Sequence, residues 1–375
     1  MRVLVTGARG FIGRNLIHHL VRREGVEVIS FNREDRAESF YRRLEGVDFV
    51  FHLAGINRPL DPQEFETGNS ELTCSLCAVL AEVARTQNRK IPVLYTSSAQ
   101  AEWANPYGAS KKRAEAYLWN LAKETGVPVH LFRLPNVFGK WCRPNYNSAV
   151  ATFCHNIARD LPVQINDAAA PLRLVYVDDV MRAFLAALDG ILLERDGAGF
   201  LCVTPEYVTT VGQVVEHIQG FRKSRDNLLT ERVGHGLLRA LYATYVSYLP
   251  PKLFSYELPR HRDARGVFVE MLKTQDSGQF SFFTALPGIT RGGHYHHTKT
   301  EKFLVICGRA RFRFRHVDTG ECYELFTDGG RSEVVETVPG WAHDVTNVGP
   351  EEMVIMLWAN EILDRQNPDT YTSIL

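Results

Sequence analysis

No stretch of this sequence approaches the roughly 20 consecutive apolar residues that a helix needs to span a bilayer, so no transmembrane helix is expected. Net charge is missing as well: 43 Lys and Arg face 43 Asp and Glu. Nothing in that balance would gather nucleic acid or an anionic membrane surface, and neither is expected as a partner. An anionic ligand must be held by local donors. The N-terminus shows no basic segment running into a short apolar one, so no secretory leader is expected. Cysteine is sparse and odd in number, seven residues without framework spacing, which favours reduced thiols in the cytoplasm. Cys74 and Cys77 share one amphipathic helical segment with no second pair, a pattern of buried thiols rather than of a zinc or redox site. Internal repeats and low-complexity tracts are absent.

What is present divides in two. A chain of 375 residues suggests two domains. Residues 1–245 alternate strand-like and helix-like segments. Strands are expected at Val3–Thr6, Glu27–Phe31, Phe49–Leu53, Val93–Ser97 and Val129–Leu134, with helices over Ile12–Arg23, Asn69–Arg85 and Ser110–Thr125. This predicts an α/β domain, a Rossmann-type doubly wound parallel sheet. The prolines of Tyr248-Leu-Pro-Pro251 place a linker at 246–252. Residues 253–375 hold short runs rich in Val, Phe and Thr, among them Phe268–Leu272, Gln279–Thr284, Phe303–Cys307, Arg311–Arg315, Glu333–Val338 and Met353–Trp358. They predict an all-β sandwich or barrel.

Thr6-Gly-Ala-Arg-Gly-Phe-Ile-Gly13 follows the first strand and opens a helix. Gly7, Gly10 and Gly13 permit a tight turn and close approach of a pyrophosphate to the helix N-terminus. Thr6, Arg9, Phe11 and Ile12 complete the candidate dinucleotide contacts. Arg33 stands after the second strand, where NAD enzymes carry an acidic residue for the ribose. An Arg there suits a 2′-phosphate, so NADPH is the expected cofactor, against the alternative of a solvated surface Arg. His52 and Ala54, ending the third strand, are further candidate cofactor contacts.

Tyr107 and Lys111 lie four apart at the start of a helix, hence on one face. An adjacent ammonium is expected to lower the phenol pKa from about 10, and the same Lys to hold cofactor ribose hydroxyls. Ser98, at the end of a strand, can place a hydroxyl beside that phenol. In the second domain, His294 and His296 have strand parity and His343 comes from a separate strand. Glu301 has the opposite parity, so a bend before it must re-aim the chain. His297 is a possible substitute ligand whose side chain should point away. Three imidazoles and a carboxylate suit Zn, Fe, Mn or Ni, with one divalent zinc ion the first expectation.

The Thr6–Gly13 loop, His52-Leu-Ala-Gly55, Ser98, Tyr107 with Lys111, Arg133-Leu-Pro-Asn-Val-Phe-Gly139 and Tyr176-Val-Asp-Asp179 together resemble the extended short-chain dehydrogenase/reductases acting on nucleotide sugars. That resemblance implies a catalytic triad of Ser98, Tyr107 and Lys111, a substrate contact at Asn136, and a homodimer. One departure stands out: the stretch from Arg33 to Phe49 is too short for the family's third strand and its adenine-contacting Asp. The histidine motifs resemble the cupins, jelly-roll proteins, in whose deoxysugar epimerases the position of Lys302 carries a lysine that steadies an enolate. Reductase followed by cupin resembles the bifunctional capsule and O-antigen enzymes of UDP-N-acetyl-L-fucosamine synthesis. Their chemistry would make the substrate a UDP-linked 4-keto-deoxysugar. The cupin would epimerise C3 of UDP-2-acetamido-2,6-dideoxy-L-arabino-hexos-4-ulose. The reductase would then reduce C4 with NADPH, giving UDP-2-acetamido-2,6-dideoxy-L-talose. The alternatives are a sugar epimerase or dehydratase that retains NAD beside a sugar-binding cupin, and a non-catalytic redox-sensing scaffold.

Overall fold

The structure is a computed structural model that describes residues 1–259, 261–263, 266–268, 272–274, 278–361 and 366–375. The chain forms two compact units, Met1–Ser148 with Leu172–Val208, and Ala149–Pro171 with Thr209–Leu375. None of the seven cysteines forms a disulfide. Among the described residues no helix is long and apolar enough to cross a membrane.

The first unit is built on five parallel strands: β1 (Arg2–Thr6), β2 (Glu27–Phe31), β3 (Phe49–His52), β4 (Val93–Ser98) and β5 (Val129–Leu134), in the order β2-β1-β3-β4-β5. Val3, Leu4 and Val5 are fully buried, as a strand covered on both faces requires. On one face the Leu72–Gln87 helix contributes Leu76, Leu80 and Val83, and the Pro106–Thr125 helix contributes Ala114, Leu118 and Leu121, each set at helical spacing in one core. Strand order reverses between β1 and β3, so a ligand crevice is expected at their carboxyl ends. Between β2 and β3 run two helical turns, Ala37–Ser39 and Phe40–Arg43, where the family's third strand would lie. Phe40 stacks on Phe31 at 4.3 Å and so covers the edge strand.

The second unit carries two five-stranded sheets whose strands pair antiparallel. One orders Ser255–Glu257, Glu333–Glu336, Glu301–Cys307, Met353–Ala359 and Gln279–Ala285. The other orders Cys322–Asp328, Arg309–His316, Trp341–Asn347, Thr290–Tyr295 and Tyr371–Thr372. Phe303 of the first meets Phe312 of the second at 5.7 Å between ring centroids, the inner faces of a β sandwich. Of the expected strand Phe268–Leu272, Val269, Glu270 and Met271 lie outside the described residues.

The division differs from a boundary at 246–252. The helices Ala149–Ile157, Val211–Asn227 and Gly236–Ser247, read from sequence as part of the first domain, pack with the second unit. Phe221 meets Tyr242 at 5.1 Å, and Arg225 reaches Glu336 at 3.4 Å and lies over the Tyr256 ring at 4.5 Å. Val246 and Leu249 are buried, so the proline-rich stretch is a packed segment rather than a loose tether.

Candidate functional site

The glycine loop turns where β1 ends, and its glycines are required by close approaches. Gly7 has φ +67°, and a Cβ there would sit 2.8 Å from the backbone of Ala54. A Cβ on Gly13 would lie 2.2 Å from the Gly7 carbonyl oxygen. Gly10 is the N-cap of the Phe11–Leu20 helix and offers no side chain to its first amides, leaving them for an anionic ligand. This cradle, which any Cβ would fill, fits a dinucleotide.

Beneath the loop a chain of hydrogen bonds fixes β1 to β3. Thr6 Oγ1 accepts from the amides of Leu53 and Ala54, both at 3.1 Å, and its own proton goes to His52 Nδ1 at 2.7 Å. His52 Nε2 then donates to Thr73 Oγ1 at 2.8 Å, which donates to the Asn69 carbonyl. Burial, with the Lys111 charge adding to it, pulls the His52 pKa down to about 3, so the ring is neutral. This corrects one expectation: the fully buried His52 ring supports the loop instead of touching a cofactor, because both nitrogens are already engaged.

At the rim, the Arg9 amide donates to Asn32 Oδ1 at 3.1 Å and its guanidinium pairs with Glu34. Arg33 is well exposed and pairs with Glu64 at 2.9 Å. Asp35, one turn further, is committed to the Asn32 amide and to Arg43.

The catalytic candidates meet at the carboxyl end of β4. Ser98 Oγ caps the following turn, accepting from the Gln100 amide at 3.2 Å. Asn105 caps the Pro106–Thr125 helix by accepting from Gly108 at 2.7 Å, and Pro106 occupies its first turn. Gly108 lets this helix approach the turn: a Cβ there would be 2.1 Å from Gln100 O. This brings the Tyr107 hydroxyl beside the Ser98 hydroxyl. Burial pushes the phenol pKa up and the nearby Ser98 hydroxyl offsets part of that rise. The expected lowering by Lys111 is corrected. Lys111 Nζ turns to the Thr96 carbonyl at 3.0 Å and lies over the Tyr95 ring at 4.9 Å. Burial holds Lys111 down to about 8, with Glu115 pulling the other way.

Two supports escaped the sequence reading. Asn69, in the π-helical turn Glu66–Glu71, brackets Ile56 by accepting from its amide at 2.8 Å and donating to its carbonyl at 2.9 Å. It also donates to Ser110 Oγ at 3.0 Å, tying the loop after β3 to the Tyr107 helix. Glu115 holds the same helix to β5 through Arg133, at 2.6 and 2.8 Å. Asn136 lies exposed on the strand Asn136–Phe138, donating to the Arg173 carbonyl at 3.2 Å.

In the second unit His294, His296, Glu301 and His343 converge, their ligand atoms all within 4.8 Å of one another. His294 and His343 are cross-strand partners, but an extra residue at Gly292-Gly293 is needed to bring them opposite. Gly292 and Gly293 have φ of +105° and +74°, a backbone that other residues rarely adopt. His296 Nε2 lies 3.1 Å from Glu301 Oε2, and Lys299 Nζ reaches Glu301 Oε1 at 2.9 Å. Burial pulls His294 down to about 4, helped by His343 and His296. Burial also lowers His343, with Glu301 offsetting part. Burial would raise Glu301, but the His296 charge and the imidazole contacts hold it well below the usual carboxylate range. The lowered His294 and His343 and the ionised Glu301 are in the protonation states that a divalent cation requires. His343 Nε2 is buried, 3.5 Å from Glu301 and without a hydrogen bond, an orphan that a metal ion would satisfy. The four residues therefore fit such an ion. His297 turns to Tyr295 and Tyr371 instead, 5.3 and 4.7 Å away between ring centroids.

Lys302 does not join this cluster, which corrects its assignment as an enolate-steadying residue. It alternates with Glu301 along the strand, and its ammonium is buried against Glu336 and bonded to Tyr256 Oη at 3.1 Å. Burial alone would lower its pKa, but Glu336 overrides that and raises it.

Comparisons with known proteins agree with both halves. Residues 3–193 match the NAD dependent epimerase/dehydratase family, and residues 261–371 match the polysaccharide biosynthesis C-terminal domain. The chain is 60% identical over 371 residues to the UDP-2-acetamido-2,6-beta-L-arabino-hexul-4-ose reductase of Pseudomonas aeruginosa, covering 99% of this chain and 98% of that one. The crystal structure of the capsular polysaccharide assembling protein CapF from Staphylococcus aureus aligns over the whole of both chains, with 39% identity and a TM-score of 0.68. The NAD complex of UDP-glucuronic acid 4-epimerase from Bacillus cereus aligns with 59% of this chain and 83% of that one at 20% identity and a TM-score of 0.50, a likeness of fold alone.

Proposed function

Because the chain belongs to the NAD dependent epimerase/dehydratase family, we propose that its first unit reduces the C4 ketone of a UDP-linked 2-acetamido-2,6-dideoxyhexos-4-ulose with NADPH. The observation that carries this reading is Tyr107 set beside Ser98 at the carboxyl end of β4, with a glycine loop at the reversal of strand order. Bound NADPH supplies the hydride. The phenol, its pKa raised by burial, keeps its proton at neutral pH and gives it to the C4 oxygen as negative charge develops there. Ser98 donates to the same oxygen, and Lys111 holds positive charge behind the phenol within reach of ribose hydroxyls. Arg33 takes the 2′-phosphate, and Asn136 contacts the nucleotide sugar.

The second unit is read as a cupin that epimerises C3 of the arabino-hexos-4-ulose before reduction, so that the product is UDP-2-acetamido-2,6-dideoxy-L-talose. His294, His296, Glu301 and His343 would hold one divalent cation, zinc first among the candidates, to supply positive charge for an enolate. Support comes from the convergence of the four side chains and from the match to a polysaccharide biosynthesis domain. The enzyme would act in the cytoplasm as a homodimer on the route to UDP-N-acetyl-L-fucosamine, in capsule or O-antigen synthesis.

The test is incubation with the 4-keto UDP-sugar and NADPH in D2O. Wild type should give the talo product. Tyr107→Phe should lose NADPH oxidation by at least about 100-fold, the scale of general-acid catalysis, while still exchanging deuterium at C3. Joint loss of both activities refutes two separate centres, and undiminished NADPH oxidation refutes Tyr107 as the acid.

A further inference from the structure

The bend that brings Glu301 to the histidines consists of His297, Thr298 and Lys299, whose successive amides point away from any strand partner. All three are taken by one carboxylate. Asp369 Oδ1 accepts from the His297 amide at 2.9 Å, and Oδ2 accepts from the amides of Thr298 and Lys299 at 2.6 and 2.7 Å. The Thr298 hydroxyl donates to the same Oδ2 at 2.8 Å. The backbone carbonyl of Asp369 accepts from His296 Nδ1 at 2.5 Å. A carbonyl can only accept, so Nδ1 carries a proton, which leaves Nε2, the nitrogen that faces Glu301 at 3.1 Å, as the one able to offer a lone pair to a cation.

Asp369 itself is held from its C-terminal side. Tyr371 and Thr372 pair with Tyr295 and His294, and the Ser373 amide donates to the Gly293 carbonyl at 2.8 Å. Residues 371–373 thus run along the strand that bears His294 and leads into His296.

We infer that Asp369 is the positioning residue of this metal centre: its carbonyl sets the ring direction of His296 while its carboxylate fixes the bend that re-aims Glu301. The inference rests on the reading of the four-residue cluster as a cation site. It makes the C-terminal segment part of that site although it supplies no ligand. Carbonyl and carboxylate partners of this kind orient metal ligands, and their loss costs about 10- to 100-fold in metal affinity.

The experiment uses the full chain stripped of metal. Zinc affinity is measured by competition with a chromophoric chelator, and ligand geometry by the visible spectrum of the Co2+-loaded protein. Wild type, Asp369→Ala, Asp369→Asn and His296→Ala are compared, with the melting temperature of each metal-free protein. Asp369→Ala should bind zinc about 10- to 100-fold more weakly and show an altered Co2+ spectrum. Asp369→Asn, which retains one oxygen to accept from the bend, should recover part of the loss. His296→Ala marks the loss of a ligand proper. Wild-type affinity and spectrum in folded Asp369→Ala overturn the positioning role and leave the metal centre standing. A lowered metal-free melting temperature with unchanged affinity of the folded fraction also overturns it, as a structural role only. A wild-type protein that takes up no metal overturns both.

Discussion

Gly108 offers the sharpest test of the reductase geometry, because it touches neither cofactor nor substrate. A methyl group at this position would lie 2.1 Å from Gln100 O, 2.8 Å from Trp103 O and 3.1 Å from Gln100 C, where ordinary contact begins at 3.4 Å. The atoms it meets are backbone, so no side-chain rotation relieves the overlap. Both partners are stiff: the turn is capped by Ser98 and closed by the Trp103 amide on Gln100 O at 2.9 Å, and the helix is capped by Asn105. In Gly108→Ala the two must part by about 1 Å. Ser98 rides on one and Tyr107 on the other, so their two hydroxyls are what move apart. A displacement of that size costs roughly 100-fold in rate when it misplaces reacting groups. Overpacking of this kind also costs about 1–3 kcal/mol of stability. The glycine loop lies at the ends of other strands, so the KM for NADPH should stay within about threefold while kcat falls about 100-fold. The assay is NADPH oxidation with the 4-keto sugar, alongside fluorescence titration of NADPH and a melting curve. Ala109→Ser, one residue on and exposed, is the control and should leave kcat unchanged. A folded Gly108→Ala enzyme with kcat within about threefold of wild type refutes the claim that this contact sets the geometry of the proton donor.

Two further outcomes follow from charges. Lys111 sits at about 8 against an ordinary 10.5, so between those values the unfolded chain binds a proton that the folded chain has shed. Its burial cost is fully present below pH 8 and fades as pH rises toward 10.5. Relative to Lys111→Met, wild type should therefore gain on the order of 3 kcal/mol across that window in urea denaturation, and parallel pH profiles would contradict the burial argument. Arg33→Ala should remove the preference for NADPH over NADH. Glu64→Gln, which deletes the carboxylate 2.9 Å from Arg33, should lower the KM for NADPH a few-fold at low salt. An unchanged NADPH to NADH ratio in Arg33→Ala excludes Arg33 as the phosphate ligand.

The features legible in the sequence were those written in local spacing. Three glycines after an apolar run, Tyr and Lys four apart, and two histidines of one parity each carry their geometry within a few residues. The need for a bend before Glu301 was legible in the same way, since parity alone demands it. What supports these groups was not legible, because the partners are distant in sequence: Asp369 stands 73 residues from His296, and Asn69 stands 41 from Ser110. Lys302 shows the limit from the other side. The resemblance to deoxysugar epimerases suggested a role in steadying an enolate, but successive residues of a strand face opposite ways, and Glu336 takes its charge. The bulge in the Thr290–Tyr295 strand was not legible either, since parity alone does not show that Gly292-Gly293 holds one residue more than its partner strand.

That bulge also fixes how the protein can change over time. Arg291 pairs with Val345 and His294 with His343, so three residues on one strand span what two span on the other. Replacing either glycine, at unchanged length, by a residue that cannot hold its positive φ would straighten the bulge into strict alternation and exchange the environments of His294 and Tyr295, swapping an imidazole for a phenol at the cation cluster. Substitution at Gly292 or Gly293 should thus be far less tolerated than in the exposed loops nearby, and a homologue that lacks these glycines should keep the four-ligand set only if its strand is one residue shorter here.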